Sequence, residues 1–197
     1  VDADAVLPFS TGVIGELLPA DVIAKAIPQC AEDLSATGWD RAANAILTTD
    51  TRPKLRSRTV ESEGCSSVIV GMSKGSGMIQ PNMATMLCFI ATDAAVEKSL
   101  LQTFLGAAVD QSFNRITVDG DTSTNDAVTL SATGQSEFVI EDANSADASA
   151  FQQALNAICL ELAQDIIRDG EGATKFVEIA VSKAQTSAEA DAVARTI

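Results

Sequence analysis

The sequence contains no histidine and no tyrosine among its 197 residues. Without histidine, this chain alone cannot form a Ser-His-Asp triad or a Cys-His pair, in which an imidazole activates the nucleophile. A nucleophilic hydroxyl on this chain would therefore need another base. The α-amine of a residue that becomes N-terminal after chain cleavage needs no histidine, and its unperturbed pKa of about 7.7–8.0 suits general-base catalysis near neutral pH.

Cysteines and basic residues are also few. The four cysteines, Cys30, Cys65, Cys88 and Cys159, lie far apart without Cys-x-x-Cys spacing, which disfavours a zinc site and indicates reduced, mostly buried thiols. The 13 basic and 27 acidic residues give a formal net charge of −14, which disfavours nucleic acid and anionic membranes as partners. The sequence shows no signal peptide and no apolar run of membrane-spanning length, so we expect a cytoplasmic location.

The hydrophobic fraction of 46% is sufficient for one sizeable domain with its own core. Apolar periodicity predicts helices over residues 19–34 (with Pro28 as a kink or break), 39–47, 93–111 (with Asp93 as N-cap), 147–168 and from Ser187 onwards. Short apolar or alternating runs predict strands over residues 67–70, 86–91, 114–118, 127–132, 137–140 and 176–181. This mixture indicates packed α and β layers.

The most informative segment covers residues 74–87, Lys-Gly-Ser-Gly-Met-Ile-Gln-Pro-Asn-Met-Ala-Thr-Met-Leu. A Gly-rich turn with one lysine leads to Thr85, which opens an apolar strand; this would place a hydroxyl at the mouth of a sheet beside a cation. The alternative is purely structural, because Gly/Ser/Pro/Asn clusters before strands are usually loops. If Thr85 is a nucleophile, we expect its own amine, freed by cleavage of the Ala84–Thr85 bond, to be the base.

This segment and four others resemble the ornithine acetyltransferase family, the ArgJ-type glutamate N-acetyltransferases of arginine biosynthesis. The five blocks follow the family's order along nearly the whole chain, which chance does not explain. The blocks are residues 10–15, residues 45–51 with Pro53 and Lys54, residues 74–87, residues 112–114 leading into 117–126, and residues 169–175.

The resemblance implies an α/β (α+β) fold, namely a helix–sheet–sheet–helix (αββα) sandwich. It implies a catalytic domain over residues 1–182 and the start of a further C-terminal domain over residues 183–197. The implied activity is a glutamate N-acetyltransferase that cleaves itself between Ala84 and Thr85. Acetyl-Thr85 would then carry the acetyl group from N2-acetyl-L-ornithine to L-glutamate in a ping-pong reaction.

The resemblance also assigns the site residues. Thr85 matches the nucleophile, and Thr11 and Gly12 match the oxyanion hole. The matching substrate-binding positions are Thr48, Lys74, Thr85 and Glu171. Taken without the family, the Ser-Thr-Gly run would be a turn before a helix, Thr48 a helix-end threonine, and Glu171 a solvated acid in a glycine turn.

Neither a metal nor a resident cofactor is implied, although some family members accept acetyl-CoA as acetyl donor and act as N-acetylglutamate synthases. Family members are considerably longer than this chain, so we expect a truncated central portion without the pocket residues of the C-terminal part. In the full-length protein, the cleaved halves would stay together and pair into an α2β2 heterotetramer. Two alternatives are an N-terminal-nucleophile aminopeptidase or amidohydrolase of the same fold, with water as acceptor, and a catalytically inert fragment.

Overall fold

A computed structural model of the chain describes residues 2–62, 64–80 and 86–197. Short 3-10 helices cover Ala3–Ala5 and Phe113–Arg115. The helices are α1 (Ala20–Glu32), α2 (Trp39–Ala45), α3 (Lys98–Asp110), α4 (Ala146–Arg168) and α5 (Ser187–Ala194). The strands are β1 (Lys54–Ser62), β2 (Cys65–Lys74), β3 (Leu87–Thr92), β4 (Ala95–Val96), β5 (Ala127–Ala132) and β6 (Val139–Ile140).

A four-stranded sheet in the order β1-β2-β3-β5 is the centre of the structure. Strands β1, β2 and β3 are successively antiparallel, with Lys54 opposite Ser73 and Lys74 opposite Leu87. Strand β5 runs parallel to β3, with Ala127 opposite Leu87. The start of β1, the end of β2 and the starts of β3 and β5 therefore lie along one end of the sheet. Strands β4 and β6 form a separate parallel pair.

Helix α4 packs over β1 and β2, and α3 packs beside it over β5. The apolar stripe that the sequence predicts on α4 forms the centre of the core, and all of its members are 0% exposed: Phe151, Leu155, Ile158, Leu162 and Ile166. Gly71 on β2 lets the helix approach closely, since an added Cβ would lie 3.1 Å from Leu162 Cδ1 and 3.2 Å from Ile158 Cγ2. The helix begins at an N-cap, Ser145, whose hydroxyl accepts the Ala148 N–H.

The predicted N-cap at Asp93 is wrong. Helix α3 begins at Lys98, and its cap is Glu97, whose carboxylate accepts the Ser99 and Leu100 N–H groups at 2.8 and 3.3 Å. The Asp93 carboxylate instead accepts the Val68 N–H at 2.8 Å, so it ties the chain after β3 to β2. The intervening residues 95–96 are extended because they pair with β6.

Two predicted strands are absent, and two strands, β1 and β4, were not predicted. Residues 114–118 contain part of a 3-10 helix, and residues 176–181 have no regular structure because no described strand pairs with them. Strand β1 was not predicted because it is an edge strand with charged residues at alternating positions, which weakens its apolar pattern. The remaining predicted helices and strands are present, and α1 continues through Pro28.

The mixed α/β class is confirmed. Within the described part of the chain, the four-stranded sheet and helices α3 and α4 supply one helix layer and one sheet layer. The second sheet and helix layers of the expected sandwich stay a prediction, as does the domain boundary at residues 182–183. None of the described helices is long and apolar enough to cross a membrane.

Candidate active site

The Gly-rich turn after β2 lies at the end of the sheet where four strands begin or end. Gly75 has a φ of 143°, which a residue with a side chain rarely adopts. Its N–H donates to Asp50 Oδ1 at 2.7 Å, so the turn is held against the chain that follows α2. Ser76 extends this contact, because its hydroxyl lies 2.6 Å from Thr49 Oγ1.

The same turn contacts the loop after α4. The Glu171 N–H donates to the Ser76 carbonyl at 2.6 Å. The Glu171 carboxylate lies directly over Gly77, where an added Cβ would come within 2.9 Å of Glu171 Cδ and 3.0 Å of both carboxylate oxygens. Glu171 is otherwise exposed. Lys74 and Glu171, which are far apart in sequence, thus belong to one site.

Lys74 brings a buried cation to this site. The residue is 2% exposed. Burial lowers the pKa of Lys74 below its ordinary value, and the nearby positive charge of Lys54 acts in the same direction. The carboxylates of Asp50, Asp126 and Glu171 oppose this change. A buried ammonium next to a Gly-rich turn is suited to binding an anionic group.

A buried cluster of three charged side chains lies beneath the turn. The Lys54 ammonium donates to Asp50 Oδ1 and to Asp169 Oδ2, both at 2.6 Å. Burial alone would raise the pKa of both aspartates, but the Lys54 ammonium and donors from the surrounding loops outweigh it and lower the pKa of each. These donors include the N–H groups of Gly75 and Thr51.

The loop at residues 117–126 contacts the chain on both sides of residues 81–85. On the N-terminal side, the Asp119 carboxylate accepts the N–H groups of Met78 and Ile79, the latter at 3.0 Å. The Val118 N–H returns a bond to the Ile79 carbonyl at 2.8 Å. On the C-terminal side, Asp126 Oδ1 accepts the Met86 N–H at 2.7 Å. One loop therefore fixes both flanks of the segment that contains the predicted cleavage site.

Asp126 has an unusual environment for a carboxyl group. It lines a largely apolar cavity of about 250 Å³ together with Ile79, Met86 and residues of α3. Burial raises the pKa of Asp126 to about 6, although the Met86 N–H and the Lys74 charge act in the opposite direction. The group can thus exchange a proton in the pH range where acyl-transfer chemistry operates.

The other predicted site residues that the structure describes lie in two segments, each of which contacts a part of the site. Thr11 and Gly12 lie in an irregular segment before α1 that contacts the 117–126 loop, because Asn125 Nδ2 donates to the Ser10 carbonyl at 3.2 Å. Thr48 is exposed, and its N–H donates to Asp50 Oδ2 at 3.3 Å. Ala84 and Thr85 lie outside the described residues, so the predicted nucleophile and cleavage site stay predictions.

Sequence reasoning missed the aspartates that hold the site together. Asp119 and Asp126 belong to a block that matched the family without a role, and Asp50, Lys54 and Asp169 belong to two others. The one sequence signal for this set is the short spacing between Asp50 and Lys54. The contact between Lys54 and Asp169 could not be inferred from spacing, because it joins residues 115 positions apart. Among the described residues, no group of three or more His, Cys, Asp or Glu side chains is placed to hold a metal ion.

Together these features define a mixed α/β protein with a charged, loop-lined candidate site at one end of its sheet. The sequence model of the ArgJ family matches residues 1–197. The "Arginine biosynthesis bifunctional protein ArgJ" of Methylococcus capsulatus is 56% identical over 195 residues, covering 99% of this chain and 48% of that protein. The chain therefore belongs to the ArgJ family.

The chain is also similar to two further proteins. The protein of the same name from Pseudomonas syringae pv. tomato is 52% identical over 183 residues, covering 92% of this chain and 45% of the relative. The crystal structure of "Arginine biosynthesis bifunctional protein argJ" from Bacillus halodurans matches with 46% identity and a TM-score of 0.41, covering 44% of this chain and 41% of that one. The chain thus spans about half the length of the curated relatives that it matches.

The raised pKa of Asp126 predicts a pH-dependent stability. Between the ordinary pKa of 3.8 and the folded value of about 6, the folded chain binds more protons at Asp126 than the unfolded chain. The contribution of this group to the free energy of unfolding therefore falls as pH rises through that interval. The variant Asp126→Asn removes this titration but keeps an oxygen acceptor for the Met86 N–H.

We expect the free energy of unfolding of Asp126→Asn, relative to the unsubstituted chain, to increase as pH rises from about 4 to about 6. Chemical denaturation at closely spaced pH values measures this difference. A difference that stays constant across the interval would contradict the assignment of a raised pKa to Asp126.

Proposed function

We propose that this chain carries the nucleophile and part of the substrate pocket of a glutamate N-acetyltransferase of arginine biosynthesis. The observation that supports this most is that Lys74 and Glu171 lie at the same Gly-rich turn, next to the segment that contains Thr85. A cation and a carboxylate at one site match a substrate that has a carboxylate and an ammonium group. N2-acetylornithine and glutamate each have both.

In the proposed maturation, the Thr85 hydroxyl attacks the Ala84 carbonyl carbon, and the acyl group moves from the Thr85 nitrogen to its oxygen. Water then hydrolyses the resulting ester, which leaves a carboxylate on Ala84 and a free α-amine on Thr85. The 117–126 loop supports this step because it anchors Met78, Ile79 and Met86 on either side of the segment. Fixed flanks limit the conformations that the intervening residues can adopt.

The acetyl transfer then takes place in two halves. The Thr85 α-amine accepts the hydroxyl proton while Thr85 Oγ attacks the acetyl carbonyl of N2-acetylornithine. The C–N bond breaks, the proton passes to the leaving nitrogen, and ornithine departs from an acetyl-Thr85 ester. The neutral amine of glutamate attacks this ester and gives up one proton, which the Thr85 α-amine transfers to Thr85 Oγ as the ester C–O bond breaks and N-acetylglutamate is released.

Other residues would stabilise this chemistry. Thr11 and Gly12 would donate a hydroxyl and a backbone N–H to the oxyanion that forms on the acyl carbonyl, where losing one such donor typically costs about 10²–10³ in rate. Lys74 would bind the substrate carboxylate, and Glu171 would bind its ammonium group. Thr48 would contribute a hydroxyl at the rim of the pocket.

The whole protein would complete this arrangement. We propose that the cleaved halves remain together, that the full-length protein forms an α2β2 heterotetramer in the cytoplasm, and that it needs no resident cofactor. Acetyl-CoA would serve as an alternative donor, since its thioester can acylate Thr85 by the same attack.

The proposal is tested by following an isotopically labelled acetyl group from N2-acetylornithine. With glutamate present, we expect label in N-acetylglutamate, and Thr85→Ala should lower this transfer by about 10⁴ or more because the nucleophile is lost. The matched control is Thr103→Ala, which removes an exposed hydroxyl on α3 that donates to the Ser99 carbonyl. This control should keep the original rate.

Two results would contradict the proposal. Labelled acetate formed equally fast with and without glutamate would indicate an amidohydrolase that uses water as acceptor. Absence of labelled product from the unsubstituted chain, with any acceptor, would indicate an inert fragment.

The contact between Gly77 and Glu171 yields a second test. In Gly77→Ala, the added Cβ should displace the Glu171 carboxylate, because the flexible end of an exposed side chain moves more readily than backbone. We expect KM for N2-acetylornithine to rise about tenfold, equivalent to about 1.4 kcal/mol. The free energy of unfolding should change by less than about 1 kcal/mol.

The control for this variant is Gly106→Ala, where an added Cβ meets no atom within 4 Å. Steady-state kinetics and denaturant unfolding of both variants provide the comparison. An unchanged KM in Gly77→Ala would remove Glu171 from the proposed pocket.

A further inference from the structure

Lys54 is a lysine whose side chain is entirely enclosed, an environment that lysine rarely occupies unless it is paired. Its two partners are also buried, since the side chains of Asp50 and Asp169 are 0% and 3% exposed. Both N···O distances are 2.6 Å, so the ammonium is fixed between two carboxylates. Such an arrangement holds its partners in place, because separating them would leave a buried charge unpaired.

Asp50 connects Lys54 to two parts of the site, the turn after Lys74 and the segment that contains Thr48. The oxygen that accepts from Lys54, Oδ1, also accepts the Gly75 N–H at 2.7 Å, directly after Lys74. Its other oxygen accepts the Thr48 N–H at 3.3 Å. One carboxylate therefore sets the position of Thr48 and of the peptide that follows Lys74.

Asp169 connects Lys54 to the loop that contains Glu171. Its carboxylate accepts the Lys54 ammonium, and it also accepts the N–H of Thr51 at 3.0 Å and the hydroxyl of Thr51. Asp169 lies two residues before Glu171, at the point where α4 ends. The position of the Glu171 loop is thereby tied to the same cation.

We propose that Lys54 is the positioning residue of the site: its ammonium aligns Thr48, Lys74 and Glu171 through Asp50 and Asp169. This inference rests on the proposed function for the roles of those three residues. Lys54 itself touches no substrate, because its side chain is completely enclosed. It acts through the geometry of the loops and through its charge.

The charge of Lys54 has a separate, measurable effect on Lys74. The charged groups that act on the Lys74 ammonium are Asp50, Lys54, Asp126 and Glu171. Burial has the largest effect on the pKa of Lys74 and lowers it. The charge of Asp50 raises this pKa, and the charge of Lys54 lowers it. Removing Lys54 should therefore raise the pKa of Lys74, and neutralising Asp50 should lower it.

The test compares Lys54→Met, Lys54→Arg and Asp50→Asn in the 197-residue chain. The control is Leu155→Ala, which opens a cavity in the core on α4 and lowers Tm without changing any charge. The first readout is the pH dependence of Lys74 modification by an amine-acylating reagent, located by peptide mass spectrometry. The second readout is KM and kcat for acetyl transfer from N2-acetylornithine to glutamate.

We expect Lys54→Met to move the midpoint of Lys74 modification to higher pH and Asp50→Asn to move it to lower pH. A purely structural role would not produce shifts of opposite sign. In Lys54→Met, KM should rise about tenfold, with a smaller change in kcat. Lys54→Arg, which keeps the charge, should remain close to the original midpoint and KM, and Leu155→Ala should change Tm alone.

The inference is overturned if folded Lys54→Met keeps the original midpoint and KM while losing as much Tm as Leu155→Ala. If Lys54→Met does not fold, the direction of the shift in Asp50→Asn decides, and no shift there also overturns it. Failure of the proposed function is distinguishable, because it would abolish acetyl transfer in the unsubstituted chain yet leave the Lys74 modification measurements intact.

Discussion

The ion cluster formed by Asp50, Lys54 and Asp169 is the interaction on which the arrangement of the site depends. It joins the segment after α2, the start of β1 and the end of α4, which are three separate parts of the chain. A buried ion pair contributes little net stability compared with a well-packed apolar core, but removing one member costs about 3–5 kcal/mol because it leaves a charge unpaired. The cluster therefore specifies geometry more than it adds stability. Helix α4 and the sheet provide that stability through their shared apolar core.

A second set of contacts makes the same kind of contribution around residues 81–85. Asp119 accepts two backbone N–H groups on one flank, and Asp126 accepts one on the other. In both places a short acidic side chain replaces the regular hydrogen bonds that a strand or helix would supply. The N–H groups of Met78, Ile79 and Met86 are thus satisfied where the chain leaves β2 and where it re-enters the sheet at β3. The acidic composition of the sequence, which disfavours nucleic acid as a partner, thus has a local structural role as well.

The sequence was most informative where a pattern is local. The α4 stripe from Phe151 to Ile166 and the strand at residues 127–132 follow directly from periodicity, and the family blocks identify the site loops. Periodicity failed at residues 176–181, where an apolar alternation has no described strand to pair with, and at β1, where charges on an edge strand weaken the pattern. The Lys54–Asp169 and Asp126–Met86 contacts could not be predicted, because they depend on which loops the fold brings to the same end of the sheet.

The measurement that most directly tests the central claim, a self-cleaving threonine nucleophile at residue 85, is denaturing intact-mass spectrometry of the purified chain. We expect two fragments that separate at the Ala84–Thr85 bond. After incubation with N2-acetylornithine alone, we expect one added acetyl group on the fragment that begins with Thr85. A single uncut mass that gains no acetyl group would show that Thr85 is not a self-cleaving nucleophile in this chain.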